Sequence, residues 1–399
     1  MIKAALIATP LENDKRRILS CAEDFRKEIS SHMDDELVFV NADEILDEPC
    51  KFIFVASGGS AQAFKAIYEK THGPYVLITT PGNNSLAASM EELSYVNDHG
   101  QVGQILHGSA ATIAGRLETI HRCFRTISRL DGYRVGVLGS PNMLINSEYD
   151  VDKLRKSAGI ETVYITMDEV CAEIEKRTYE PDTYTQALIE TGYDRNELEK
   201  AFHIYGAVRR LIDRHHFDAV SLRCFDLLDP YKASGCLALA ILNSMGIPAS
   251  CEGDTRSLLS MVVMSTLTGQ PCFMANPSRI DMDRKEIVLA HCTLPLSMVD
   301  SYSLTTHFES GISVAVKGEF ADDTYTLFKC REDMRTYFVQ KAAFVENLNE
   351  CDLCRTQVRL RVEDVDSYLT HPLSNHQIMV RGDHVDEVNE LFKWYSVRN

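Results

Sequence analysis

Along the first half of the chain, short apolar runs rich in β-branched residues alternate with stretches whose apolar residues recur every three or four positions. "KAALIAT", "KFIFVASGG" and "PYVLITTPGNN" carry the first pattern and predict strands, the latter two opening into glycine turns; "SAQAFKAIYEK" carries the second and predicts a helix. "AATIAGRLETIHRCFRTISRL" puts Ile113, Leu117, Ile120, Phe124 and Ile127 on one helical face. The theme restarts at "DGYRVGVLGSPN". It continues through the strand "TVYIT", the helix "NELEKAFHIYGAVRRLIDRHH", the strand "DAVSLRCF" and the helix "GCLALAILNSMG". Such alternation predicts parallel strands with crossover helices. We read two consecutive Rossmann-like parallel α/β domains, residues 1–131 and 132–269.

From about Gln270 the period changes. "KEIVLAHC", "SVAVKGEF", "TYTLFKC", "QVRLRV" and "HQIMVRG" are short runs of strand character separated by polar turns, which predicts a β-rich, barrel-like domain over residues 270–399. A last helix, "HVDEVNELFKWYSV", carries the only tryptophan, Trp394, and is expected to pack back onto the body.

Length and charge narrow the picture. The 399 residues exceed the roughly 250–300 at which a single core stops growing, consistent with several domains. A formal net charge of −17, with Lys and Arg scattered, argues against nucleic-acid and anionic-membrane partners. "MIKAALIATP" is broken by Pro10 too early for a signal peptide, and no run of about 18 apolar residues occurs, so a cytoplasmic location is expected. The twelve cysteines read as reduced thiols, most of them, such as Cys224, Cys236 and Cys272, inside apolar runs. The one CxxC, Cys351 to Cys354, lacks the second half of a zinc site and receives no role.

The stretch "ASCEGDTRSLLSMVVM" changes the picture most, because it carries Glu252 and Asp254 between an apolar approach and an apolar helical run. A buried ionised carboxylate needs a metal, a cation or a proton beside it. In a parallel α/β unit this turn falls at the carboxyl end of a strand, where ligands bind. Asp254 is also placed to cap the helix that follows. Downstream, His291 in "LAHC" and His376 in "SNHQIMVRGDH" supply imidazoles, and with Glu252 they make a donor set suited to Mn²⁺, Fe²⁺ or Zn²⁺. Arg223 and Asp226 end the strand "DAVSLRCF" at the same edge and are candidates for substrate contact or for an internal salt bridge. "SGGSAQ" lacks dinucleotide spacing and reads as a tight turn; with no P-loop either, a nucleotide-dependent transferase is disfavoured.

In order and spacing, "CEGD", the apolar helix, "GQPCFMANPSRID", "IVLAHC" and "SNHQIMVRGDH" resemble the C-terminal half of the L-fucose isomerase and L-arabinose isomerase family. The resemblance implies a metal-dependent aldose–ketose isomerase acting on a sugar or sugar derivative, a divalent cation, most often Mn²⁺, and a homo-oligomer. It implies metal ligands at Glu252, His376 and His291, with a further acidic ligand falling on Ala275 or Asn276. Glu252 and Asp254 become the catalytic candidates, and Asn375 joins Arg223 and Asp226 as a substrate contact. At Asn276 the sequence departs from the family, since an amide binds a hard cation with less charge and takes no proton. Asp281 and Asp283 follow closely as possible replacements. The alternative is a sugar-binding or regulatory relative that keeps the fold without turnover.

Overall fold

The computed structural model describes residues 1–139 and 144–398. The chain divides into two units, Met1–Ser128 and Arg129–Asn399.

In the first unit, β1 (Ile2–Ile7), β2 (Leu37–Val40), β3 (Lys51–Val55), β4 (Tyr75–Thr79) and β5 (Gly103–Leu106) form one parallel sheet in the order β2-β1-β3-β4-β5. β3 and β4 are buried at every position, which is why "KFIFV" and "YVLIT" show no polar alternation: a parallel sheet is covered on both faces. "SGGSAQ" is the tight turn expected, with Gly59 at φ 76° leading into the helix Ala61–Tyr68. The sequence reading did not name β2, β5 or the helix Glu12–Ser30.

One buried acid stands out in this unit. Glu92 is 2% exposed on the helix Ser85–Asp98, and its Oε1 accepts from Ser60 Oγ at 2.7 Å while Oε2 has no hydrogen-bond partner. Burial pushes its carboxyl up to about 7, the serine only partly opposing this. A raised acid stabilises the fold fully below its unfolded value, and that contribution is lost as pH rises through the folded one. Protection of this helix against hydrogen exchange should therefore fall between about pH 4.5 and 7, by up to about 3 kcal/mol. Glu92→Gln should flatten the dependence, and a wild-type profile already flat over that window would refute it.

In the second unit, β6 (Arg134–Leu138), β7 (Glu161–Ile165), β8 (Ala219–Leu222) and β9 (Ala249–Ser250) form a parallel sheet in the order β7-β6-β8-β9. The turn residues 140–142 of "DGYRVGVLGSPN" lie outside the described residues.

The rest of the unit is β-rich. β10 (Phe273–Asp281) and β11 (Glu286–His291) are followed by a separate two-stranded ribbon, β12 (Ser301–Thr305) and β13 (Ala315–Glu319). Then come β14 (Thr324–Cys330), β15 (Tyr337–Asn347), β16 (Thr356–Val362) and β17 (Gln377–Arg381). β10, β11, β16, β15, β14 and β17 close, in that order, into an antiparallel barrel. Parallel α/β sheets followed by a six-stranded barrel are the architecture the hydrophobic pattern predicts. The last helix, Val385–Arg398, packs back on the barrel: Phe392 stacks on Tyr337 of β15 at 4.2 Å between ring centres, and Trp394 is 2% exposed. No helix among the described residues is long and apolar enough to cross a membrane.

Candidate metal centre

β9 contributes only two residues before the chain turns sharply into the helix Thr255–Thr268. The Asp254 N–H donates to the Cys251 carbonyl at 3.0 Å, closing a four-residue turn whose central residues, Glu252 (φ 60°) and Gly253 (φ 67°), are both left-handed. Glycine takes that conformation freely, whereas at a glutamate it costs roughly 1–2 kcal/mol. The Gly253 N–H donates to the Leu222 carbonyl at 3.1 Å, tying the turn to the end of β8.

The helix starts where the sequence places it. Asp254, fully buried, is its N-cap: Oδ1 accepts from the Ser257 N–H at 2.8 Å and Oδ2 from Ser257 Oγ at 2.5 Å. The same Oδ2 lies 2.8 Å from His376 Nδ1. Behind it, Lys329 of β14, 1% exposed, donates from Nζ to Ser257 Oγ at 2.6 Å. Burial would push the Asp254 carboxyl up, but the Lys329 charge and then His376 and Ser257 outweigh it and hold the group far below the usual range.

Three side chains converge in front of this layer. Glu252 Oε1 lies 3.7 Å from His376 Nε2 and 3.9 Å from His291 Nε2. The three residues offer ligand atoms within 4.8 Å of one another. At 3.7 Å the Glu252–His376 contact is electrostatic rather than a hydrogen bond, and Nε2 of the fully buried His376 has no hydrogen-bond partner. Burial opposes charge on His376, yet Asp254 and then Glu252 raise its pKa. Burial and then His376 push His291 down to about 4, so its ring is neutral at pH 7; its Nδ1 sits 3.0 Å from Thr293 Oγ1. Burial pushes Glu252 up, but the two imidazoles, His376 first, outweigh it and hold the carboxyl below its ordinary value.

A carboxylate and two imidazole nitrogens, one of them buried and unpartnered, fit a divalent metal ion. The Asp254–His376 contact has the form of the carboxylate–histidine pair that would orient a metal-binding ring and set its tautomer. Glu252, His291 and His376 are the residues that would hold the ion.

The other candidates are placed as follows. Asn276, on β10 one position beyond the pair Ala275↔Gln377, lies opposite His376; its Oδ1 accepts from Nδ2 of the exposed Asn375 at 3.2 Å. Arg223 Nε donates to Asp226 Oδ1 at 2.9 Å, the salt bridge weighed in the sequence. Asp281 and Asp283 do not replace an acidic ligand at Asn276: Asp281 lies five positions along the strand, roughly 16 Å away, and its Oδ1 accepts from the N–H groups of Asp283 and Arg284 in the β10–β11 turn. Sequence reasoning missed Lys329 and Ser257. A lysine inside the apolar run "TYTLFKC" is the signal that could have found the first.

No family model matches the chain. Parts of it are similar to curated sulfoquinovose isomerases. The relative from Clostridium sp. (strain MSTE9) is 33% identical over 90 residues, 22% of this chain and 20% of that protein. The relatives from Priestia aryabhattai and from Priestia megaterium (strain ATCC 12872 / QMB1551) are each 22% identical over 176 residues, 42% of this chain and 40% of those proteins. The chain thus matches less than half the length of these relatives. Low in identity and partial in coverage, the similarity supports a sugar isomerase function.

Proposed function

We propose that the protein is a metal-dependent aldose–ketose isomerase, and that its substrate is an aldose bearing an acidic group, with sulfoquinovose the first sugar to test. The observation that carries the reading is the convergence of Glu252, His291 and His376 around a buried, unpartnered nitrogen. The relatives' names supply the choice of sugar.

Aldose–ketose interconversion moves a proton between C1 and C2 through an enediol. Glu252, His291 and His376 would hold a divalent cation, Mn²⁺ in this proposal, which would stabilise the negative charge that develops on the sugar oxygens. Glu252, on a turn and partly open at 18% side-chain exposure, takes the proton from C2 and returns it at C1. Asp254 does not reach the sugar; it fixes the His376 ring. Asn276, opposite His376, joins the metal set as a neutral ligand, while Asn375 and the Arg223–Asp226 pair serve the substrate hydroxyls and acidic group. The proposal includes a cytoplasmic homo-oligomer, for which light scattering gives the subunit number.

The test is a panel of pentoses, hexoses, deoxy sugars and sulfo sugars with Mn²⁺, reading ketose formation and deuterium uptake at C2 from heavy water. Neither signal with any sugar would remove the isomerase reading. The neutral Asn276 favours a second reading, a sugar-binding relative without turnover. Asn276→Asp adds a carboxylate opposite His376 and should tighten Mn²⁺ binding about tenfold, roughly 1.4 kcal/mol, in a calorimetric titration. Under the second reading it also brings turnover that the natural protein lacks; an unchanged affinity would remove Asn276 from the metal set.

A further inference from the structure

The CxxC that the sequence left without a role is not isolated in the fold. The pairing His291↔Thr356 between β11 and β16 sets Cys292 opposite Arg355, next to Cys354. Cys292 belongs to a small buried core with Cys236 and Ala315, and the partly buried Cys354 packs against that core. Exposure falls in steps along the three thiols: Cys351 is exposed, Cys354 partly exposed and Cys292 2% exposed. Cys292 directly follows the candidate ligand His291.

We propose that Cys351, Cys354 and Cys292 are a thiol relay through which a peroxide oxidant makes a reversible Cys292–Cys354 disulfide against the metal centre. Cys351 sulfur attacks hydrogen peroxide, breaking the O–O bond and giving a sulfenic acid and one water. Cys354 sulfur displaces the hydroxyl, which leaves with the Cys354 proton as a second water, and a Cys351–Cys354 disulfide forms. Cys292 sulfur then attacks Cys354 sulfur, forming the Cys292–Cys354 bond and returning Cys351 to the thiol, which takes up the Cys292 proton. In sum two thiols lose two electrons and two protons, and one peroxide becomes two waters. The new bond draws the sulfurs to about 2.05 Å, well inside the contact distance of two packed thiols, and so shifts the end of β11. That consequence for His291 rests on the metal-site reading; the disulfide itself does not.

The experiment treats the full chain with limiting hydrogen peroxide, blocks free thiols, maps disulfides by peptide mass spectrometry and titrates Mn²⁺ calorimetrically. A dominant Cys292–Cys354 bond is expected, with Mn²⁺ affinity lowered about tenfold and restored by dithiothreitol. In Cys292→Ser the bond should stop at Cys351–Cys354 and peroxide should leave the affinity unchanged. In Cys351→Ser the Cys292–Cys354 bond should form at least about tenfold more slowly. Cys292 recovered as a free thiol in the wild type, or the bond forming equally fast in Cys351→Ser, would overturn the relay. A Cys292–Cys354 bond that leaves Mn²⁺ affinity unchanged would overturn its effect on the site. Failure of the reduced protein to bind Mn²⁺ would instead defeat the functional reading, and the sulfur map would still decide the relay.

Discussion

Glu252→Gln is expected to lower turnover by roughly 10²–10⁴-fold, the range for losing a positioned general acid–base, and to weaken Mn²⁺ binding in the same variant. The change keeps the shape of the side chain while removing the only carboxylate among the three convergent ligands. It also removes the anion that faces both imidazoles at 3.7 and 3.9 Å. The left-handed turn and the helix cap do not involve the carboxylate, so the variant should fold with a melting temperature near that of the wild type. Deuterium uptake at C2 separates the two losses: at saturating Mn²⁺, a base defect persists and a binding defect does not. Wild-type exchange in the variant would mean that another group moves the proton.

Asp254→Asn should act through stability and through the ring it supports. Asparagine still caps the helix, but His376 loses the carboxylate it contacts at 2.8 Å, and the buried Lys329, linked to Asp254 only through Ser257 Oγ, loses the charge that faces it. Removing one partner of a buried charged pair, here Asp254–His376, costs about 3–5 kcal/mol, and loss of a metal-supporting carboxylate typically costs 10–100-fold in affinity. Urea unfolding and calorimetric Mn²⁺ titration read the two effects. Adding Lys329→Met should recover much of the stability, since the double variant no longer buries an unpaired ammonium, but little of the affinity. If Asp254→Asn binds Mn²⁺ as the wild type does, the supporting role is wrong.

Much of the architecture is legible because burial leaves its period in the sequence. The helix Ala110–Leu130 coincides with the stretch read from Ile113, Leu117, Ile120, Phe124 and Ile127, and β14 with "TYTLFKC". The helix Glu12–Ser30 escapes because charged residues crowd its sequence around few buried apolar ones, Ile18, Ala22 and Ile29. β15 escapes because "YFVQKAAFVEN" is only partly buried and shifts register between Phe344 and Glu346. At the site, the donors Glu252, His291 and His376 can be named from residue type and local context. The layer behind them cannot, because Lys329 meets the start of the helix Thr255–Thr268 only once the barrel has closed. Nor does sequence spacing tell that one carboxylate, Asp254, serves both as helix cap and as partner to His376.

The closed barrel divides labour among the three donors. His291 is the last residue of β11 and His376 immediately precedes β17, and both strands are hydrogen-bonded to neighbours on either side. A closed sheet offers no free edge along which such strands can slide. Glu252 stands instead on a short turn outside the barrel. The two imidazoles thus stand on strands held along both edges, whereas Glu252 is held by two backbone hydrogen bonds of its turn, Asp254 N–H to Cys251 and Gly253 N–H to Leu222. If the proposed isomerase function holds, changes in the "CEGD" turn are expected to alter which sugars are accepted more readily than changes in the barrel strands.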